Sequence, residues 1–181
     1  MSGLVQPFIS TVSGSLDSKG RVCIPAAYRQ SLAAQNTAGV YVCPSFLDGA
    51  LDAFGQTLLD TLHARLSTQD PFFSPTHDDE ANAVIARTQL LVLDEQGRVR
   101  LPDAMIAHAN LKDRVLFVGQ AQKFQIWDAD AYAPIQAAII ARVKAKFERA
   151  RAIANGEIAN GAIGANANAT AANSAAEGEG P

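Results

Sequence analysis

Two short elements of one form stand 77 positions apart in this chain, Asp17-Ser-Lys-Gly-Arg21 and Asp94-Glu-Gln-Gly-Arg98. An Asp carboxylate can accept the backbone N–H two residues on, an Asx-turn, and Gly20 or Gly97 can supply positive φ. Each element therefore reads as a hairpin turn. The arginine that leaves the turn carries a planar fork of donors, suited to a carboxylate or bidentately to the O6/N7 edge of guanine. The residues leave two readings of Arg21 and Arg98 open. Each can close a cross-hairpin ion pair with Asp17 or Asp94, or each can offer its fork to a base in the major groove. The readings are compatible, because a carboxylate can aim the fork before the base arrives. Lys19, at the tip of the first turn, could reach a phosphate, a contact that positions without specifying; it could equally be an ordinary exposed lysine. Arg29 is as readily a partner for a carboxylate within the protein.

The other reactive residue types form no constellation. His63, His77 and His108 are scattered, with no Cys or acid at ligand spacing, so no metal site is expected. Cys23 and Cys43 are too few for a disulfide framework, and no base is indicated beside Cys23. Asp78-Asp79-Glu80 reads as the acidic first turn of a helix, favoured by its dipole. There is no P-loop, nucleophile elbow or GxGxxG after a strand. No catalytic residue and no cofactor are expected, and the chain does not read as an enzyme.

The elements that must hold the arginines are repeated too. Leu16–Pro25 aligns with Leu93–Pro102 with six of ten positions identical. In the first copy Arg21-Val-Cys-Ile24 alternates, with Val22 and Ile24 facing a core and Arg21 and Cys23 facing out. In the second, Val99 and Leu101 face in, and Arg98 and Arg100 face out. Pro25 and Pro102 end the strands and can open helices at Ala26–Ala34 and Asp103–Asn110. Strands are expected before each copy (Phe8–Val12; Gln89–Val92) and after it (Val40–Cys43 and Ala50–Phe54; Arg114–Val118 and Phe124–Trp127). Each copy is a ββαβ-like unit of about 45 residues, too small to be stable alone. Two such units would close on one another as a pseudo-twofold barrel.

Outside the copies the pattern is helical. Leu58, Leu59, Leu62 and Leu66 make a stripe, and Asp79–Arg87 continues in helix before the second copy. Asp128 is a plausible N-cap for a long helix through Ala152, with Tyr132, Ile135, Ile139, Val143 and Phe147 along one side. Arg142, Lys144, Lys146, Arg149 and Arg151 on its other faces read as a solvated, dipole-compatible surface. Trp127 is expected in the core.

At 181 residues and 48% hydrophobic content the chain can bury a core of its own. No apolar run approaches a membrane span, and Met1–Ser10 lacks the pattern of a signal peptide. From Asn155 the composition turns to Ala, Gly and Asn with three acids and no base, and is expected to be disordered. The body before it holds 15 bases and 15 acids. A neutral body is no generic polyanion binder, so any affinity for nucleic acid must come from a local patch, multiplied by oligomerisation.

The stretch Leu16-Asp-x-Lys-Gly-Arg-Val-x-Ile-Pro-Ala-x-Tyr-Arg29 resembles the first signature of the MraZ family. Leu93-Asp-x-x-Gly-Arg-Val-x-Leu-Pro102 resembles the second, and Val115–Gly119 followed by Phe124-Gln-Ile-Trp127 also fits. The resemblance covers Gln6 to Phe147. It implies an α+β fold of two AbrB-like repeats of the swapped-hairpin (double-split) type with flanking helices. The implied divisions are 8–54 and 83–130 for the SpoVT-AbrB-like repeats, 55–82 for a helical connector, 131–153 for a C-terminal helix and 154–181 for the tail. It implies a cytoplasmic, nucleoid-associated transcriptional repressor of the division and cell-wall gene cluster. The partners are double-stranded promoter DNA, at direct repeats upstream of its own gene, and the chain itself, in a ring-shaped homo-oligomer. The DNA-contacting residues would be Arg21, Arg98, Lys19 and Arg100, with Asp17, Gly20, Asp94 and Gly97 forming the turns and orienting the arginines. Glu95-Gln96 replaces Ser18-Lys19 in the second copy, which favours the first for phosphate contact; Arg100 in place of Cys23 partly offsets this. The alternative is an AbrB-type ring-forming or antitoxin-like protein that binds protein partners.

Overall fold

The computed structural model describes residues 6–46 and 49–155; nearly all of the Ala/Gly/Asn-rich tail lies outside them. The chain divides between Ile135 and Gln136 into two units. In the first, the strands of copy one are β1 (Thr11–Ser15), β2 (Arg21–Cys23), β3 (Gly39–Pro44) and β4 (Leu51–Phe54), with helix α1 (Ala26–Ala33) between β2 and β3. Copy two repeats the order with β5 (Gln89–Val92), β6 (Arg98–Arg100), α4 (Asp103–His108), β7 (Arg114–Gln120) and β8 (Lys123–Asp128). Helices α2 (Gln56–Leu66) and α3 (Pro75–Ala83) lie between the copies, and α5 (Ala129–Ala154) follows.

The copies are woven together rather than set side by side. β1 pairs with β7 and β5 with β3, each strand crossing to the other copy, while β4 and β8 pair at the centre. The antiparallel sheet runs β1-β7-β8-β4-β3-β5. Exchanging each strand for its counterpart returns the same order read backwards, the mark of a pseudo-twofold relation. β2 and β6 form a separate antiparallel ribbon. The described strands thus make an open six-stranded sheet and a two-stranded ribbon, where the sequence suggested one closed barrel. The reason is local: the tight turns at Gly20 and Gly97 send β2 and β6 off the sheet edge, where they pair with each other.

The ribbon's inner residues build the core. Val22, Ile24, Val99 and Leu101 are fully buried against Tyr28, Leu32, Val40, Phe117, Phe124 and Ile126. Phe8, Tyr28 and Phe124 form an aromatic triad with centroids 4.8–5.4 Å apart. Trp127 is buried on the opposite face of the sheet against Tyr132. Its indole N–H donates to Gln125 Oε1 at 2.9 Å.

Several element boundaries differ from the expectation. The strand foreseen at Phe8–Val12 begins at Thr11, because Ser10 has positive φ and only Phe8 bridges, to Ala121. The helix foreseen at Asp79–Arg87 starts at Pro75, capped by the Ser74 hydroxyl, and ends at Ala83; a 3-10 turn spans Ile85–Arg87. The leucine stripe of α2 contains no buried residue. Asp128 does cap α5, its Oδ1 accepting the N–H of Asp130 and Ala131. No helix among the described residues is long and apolar enough to cross a membrane.

Candidate functional site

Each Asp-x-x-Gly-Arg element folds into the same turn. In the first, Gly20 N–H donates to the Asp17 carbonyl at 2.9 Å, Asp17 N–H donates to the Arg21 carbonyl, and Gly20 sits at φ +73°. This is a three-residue hairpin loop closed by a residue in the left-handed region. The Asp17 carboxylate is fully used. Oδ1 accepts the backbone N–H of Lys19 and of Arg21, both at 2.9 Å, and Oδ2 accepts Arg21 Nε and Nη2 at 2.7 Å. The second copy repeats the pattern, with Gly97 at φ +75° and Asp94 Oδ1 accepting from Gln96 and Arg98. Arg98 Nε donates to Asp94 Oδ2 at 2.9 Å.

These bonds favour the ionised acid. The Arg21 side chain, and then its backbone N–H, hold the Asp17 carboxyl down to about 2. Asp94 is lowered chiefly by the Arg98 backbone N–H. Both carboxylates therefore act as fixed anchors for an arginine.

The ribbon brings the two copies' arginines together. Its register sets Arg21 opposite Arg100 and Cys23 opposite Arg98, about the buried Val22–Val99 pair. All four lie on the side away from the core, with Cys23 and Arg100 the most exposed. The turns are stitched across copies: Ile24 N–H donates to the Gly97 carbonyl and Leu101 N–H to the Gly20 carbonyl, at 2.9 and 2.8 Å. Like charges directly opposed across a ribbon are unfavourable. Arg21 is partly neutralised by Asp17, whereas Arg100 meets no carboxylate among the described residues. An external anion would relieve that repulsion.

The copies are not equivalent. Arg21 gives both Nε and Nη2 to Asp17, whereas Arg98 gives Nε to Asp94 and Nη2 to Gln96 Oε1. Lys19 is exposed at the first tip, where the second has Gln96. The second turn gains a cation that the sequence did not assign to it. Arg29, on α1 of the first copy, packs across Gly97: a Cβ there would come within 2.5–2.7 Å of its side chain. At Gly20 the neighbour is Ile106, the counterpart of Arg29, at 3.2 Å. Arg29 Nε is buried without a hydrogen-bond partner, and Arg29 pairs with no carboxylate among the described residues. The Arg29/Ile106 mismatch in the repeat alignment was the available signal, and only the cross-copy weave explains it.

The remaining sequence candidates stay apart. Among the described residues no group of three or more His, Cys, Asp or Glu could hold a metal. His108 Nε2 lies 3.0 Å from the Ser45 carbonyl oxygen. His77 lies beside Asp78, and Cys43 is buried, its thiol pushed up by burial.

A family model described as "MraZ protein, putative antitoxin-like" matches residues 84–153. A Pelagibacter ubique protein named "Transcriptional regulator MraZ" is 36% identical over 143 residues, covering 79% of this chain and 90% of that protein. Relatives of the same name from Xanthobacter autotrophicus and Azorhizobium caulinodans are 40% and 38% identical, over 78% and 79% of their lengths. Similarity of this depth, over 78–90% of the relatives' own lengths, means that the chain belongs to the MraZ family.

Proposed function

We propose that this chain is a sequence-specific DNA-binding transcriptional regulator, a repressor that occludes promoter direct repeats upstream of its own gene. The observation that carries the reading is the ribbon face. Four arginines (Arg21, Arg29, Arg98, Arg100) and Lys19 gather around two preorganised turns, on a body whose overall charge is balanced. A two-stranded ribbon is an element the major groove admits, and an arginine fork suits guanine. Arg21, Arg98 and Arg100 are the base-reading or phosphate-pairing groups. Lys19 contacts phosphate. Asp17, Gly20, Asp94 and Gly97 are positioning residues. The names of the relatives support regulation of transcription.

The reading includes two AbrB-like halves of the swapped-hairpin type, divided as 8–54 and 83–130, and a ring-shaped homo-oligomer in the cytoplasm at the nucleoid. The genes controlled would be the division and cell-wall cluster. One ribbon on a neutral body binds weakly; several on spaced repeats gain affinity through effective concentration. The test is electrophoretic mobility shift on a duplex from upstream of the gene, with Arg21→Ala and Arg98→Ala beside the parent. Loss of the shift in both variants supports the reading. An unchanged shift moves the function to protein partners, the antitoxin-like alternative.

A further inference from the structure

Two exposed surfaces have no role in the ribbon site, and their chemistry is complementary. The first is the turn between α2 and α3. Phe72 and Phe73 stand adjacent there, each 86% exposed. The turn is built: Asp70 Oδ1 accepts the N–H of both, at 2.8 and 3.0 Å, and Ser74 N–H donates to the Asp70 carbonyl. Around this pair, residues 67–83 hold Asp70, Asp78, Asp79 and Glu80 and no lysine or arginine. Glu80 is taken by Arg65 and Asp78 lies beside His77, so the segment that carries the aromatic pair holds three acids, Asp70, Asp78 and Asp79, without a lysine or arginine partner.

The second surface is the distal part of α5. Ile139, Ile140, Val143 and Phe147 are exposed. At about 100° per residue they fall within an arc of about 100° of the helix. Arg142, Lys146 and Arg149 line one flank of that stripe, Lys144 and Arg151 the other. From Gln136 to Asn155 the only acid is Glu148. An apolar stripe with basic borders thus matches an aromatic pair with acidic borders, in both charge and polarity.

We propose that the Phe72–Phe73 knob of one copy docks on the basic-bordered stripe of α5 in a second copy. The occupant is a second copy because one sequence carries both halves of the match. Knob and stripe are different surfaces, so the contact is heterologous, the kind that propagates head to tail and closes as a ring when the rotation permits. Aromatic side chains ringed by polar groups are typical anchors of such contacts. The inference rests on the oligomer reading above and names the contact that makes it.

The test is the mass of the full-length chain by sedimentation velocity, across protein concentration and salt. The parent should be a multi-subunit species. F72S/F73S should lower the mass, without loss of the far-ultraviolet circular dichroism, since both side chains are exposed. D78K/D79K and R142E/K146E should each lower it too, and the two charge reversals combined should restore it, because they exchange the borders. Full mass in F72S/F73S and in both reversals overturns the docking while leaving the oligomer standing. A parent monomeric at every concentration overturns the oligomer reading and the docking with it. R142E/K146E that keeps its mass but loses duplex binding assigns the helix to DNA and overturns the docking.

Discussion

At the scale of single residues, the ribbon site rests on two carboxylates, each paired with the arginine four residues on. Asp17 is saturated by two backbone N–H groups and two donors of Arg21, which holds its pKa at about 2. The sign follows directly. A carboxyl whose folded pKa is depressed stabilises the fold in full above the ordinary carboxylate range. That contribution is lost as pH falls through about 2. A carbon-detected NMR titration should therefore find Asp17 ionised at pH 3.5. In Arg21→Ala its midpoint should rise, because the largest lowering influence is gone; a midpoint that stays put would show that the guanidinium does not hold the acid. On DNA, each arginine that makes a bidentate base contact should be worth about 1–3 kcal/mol, roughly 5- to 150-fold in Kd. Lys19→Ala should weaken binding to all sequences alike and flatten the salt dependence. A loss confined to one operator sequence would instead make Lys19 a base reader.

At the scale of elements, two glycine positions separate turn chemistry from strand packing. Gly20→Ala forces a β-carbon into positive φ and should cost about 1–2 kcal/mol in urea unfolding. Gly39→Ala should cost more, about 3 kcal/mol. Its Cβ would lie 2.2 Å from the Leu91 carbonyl oxygen, a backbone atom of the other copy that cannot swing aside. A Gly39→Ala protein as stable as the parent would show that β3 and β5 do not pair so closely. This cross-copy pairing also marks where sequence reading stopped. The alternation of Arg21-Val-Cys-Ile24 and the prolines after it suffice to place strand, face and following helix. The Asp-x-x-Gly turn is legible for the same reason: its hydrogen bonds are local. Which strand pairs with which is set by long-range burial, so neither the Arg21–Arg100 opposition nor the seat of Arg29 over Gly97 could be read. Pro75 and Ser74 together encode the earlier start of α3, through a hydroxyl cap and a proline at the first helical position, whereas apolar spacing begins only after Asp79.

At the scale of the molecule, a balanced body charge and a concentrated arginine face make a definite expectation. Binding should be salt-sensitive through few phosphate contacts per subunit, and strong only when several subunits engage spaced repeats. A duplex with one repeat should bind far more weakly than one with the natural array, and altering the spacing by half a helical turn should remove most of the difference. If the single repeat binds as tightly as the array, the affinity belongs to one ribbon alone.

The most direct measurement is fluorescence anisotropy of a labelled duplex from upstream of the gene, against a scrambled duplex, at several salt concentrations. The parent chain and an Arg21→Ala/Arg98→Ala/Arg100→Ala variant would be compared. Tight binding to the upstream duplex alone is expected, weakening steeply with salt and lost in the variant while its circular dichroism is kept. Equal binding of both duplexes, or a variant that binds as the parent does, would contradict a DNA-reading role for the ribbon.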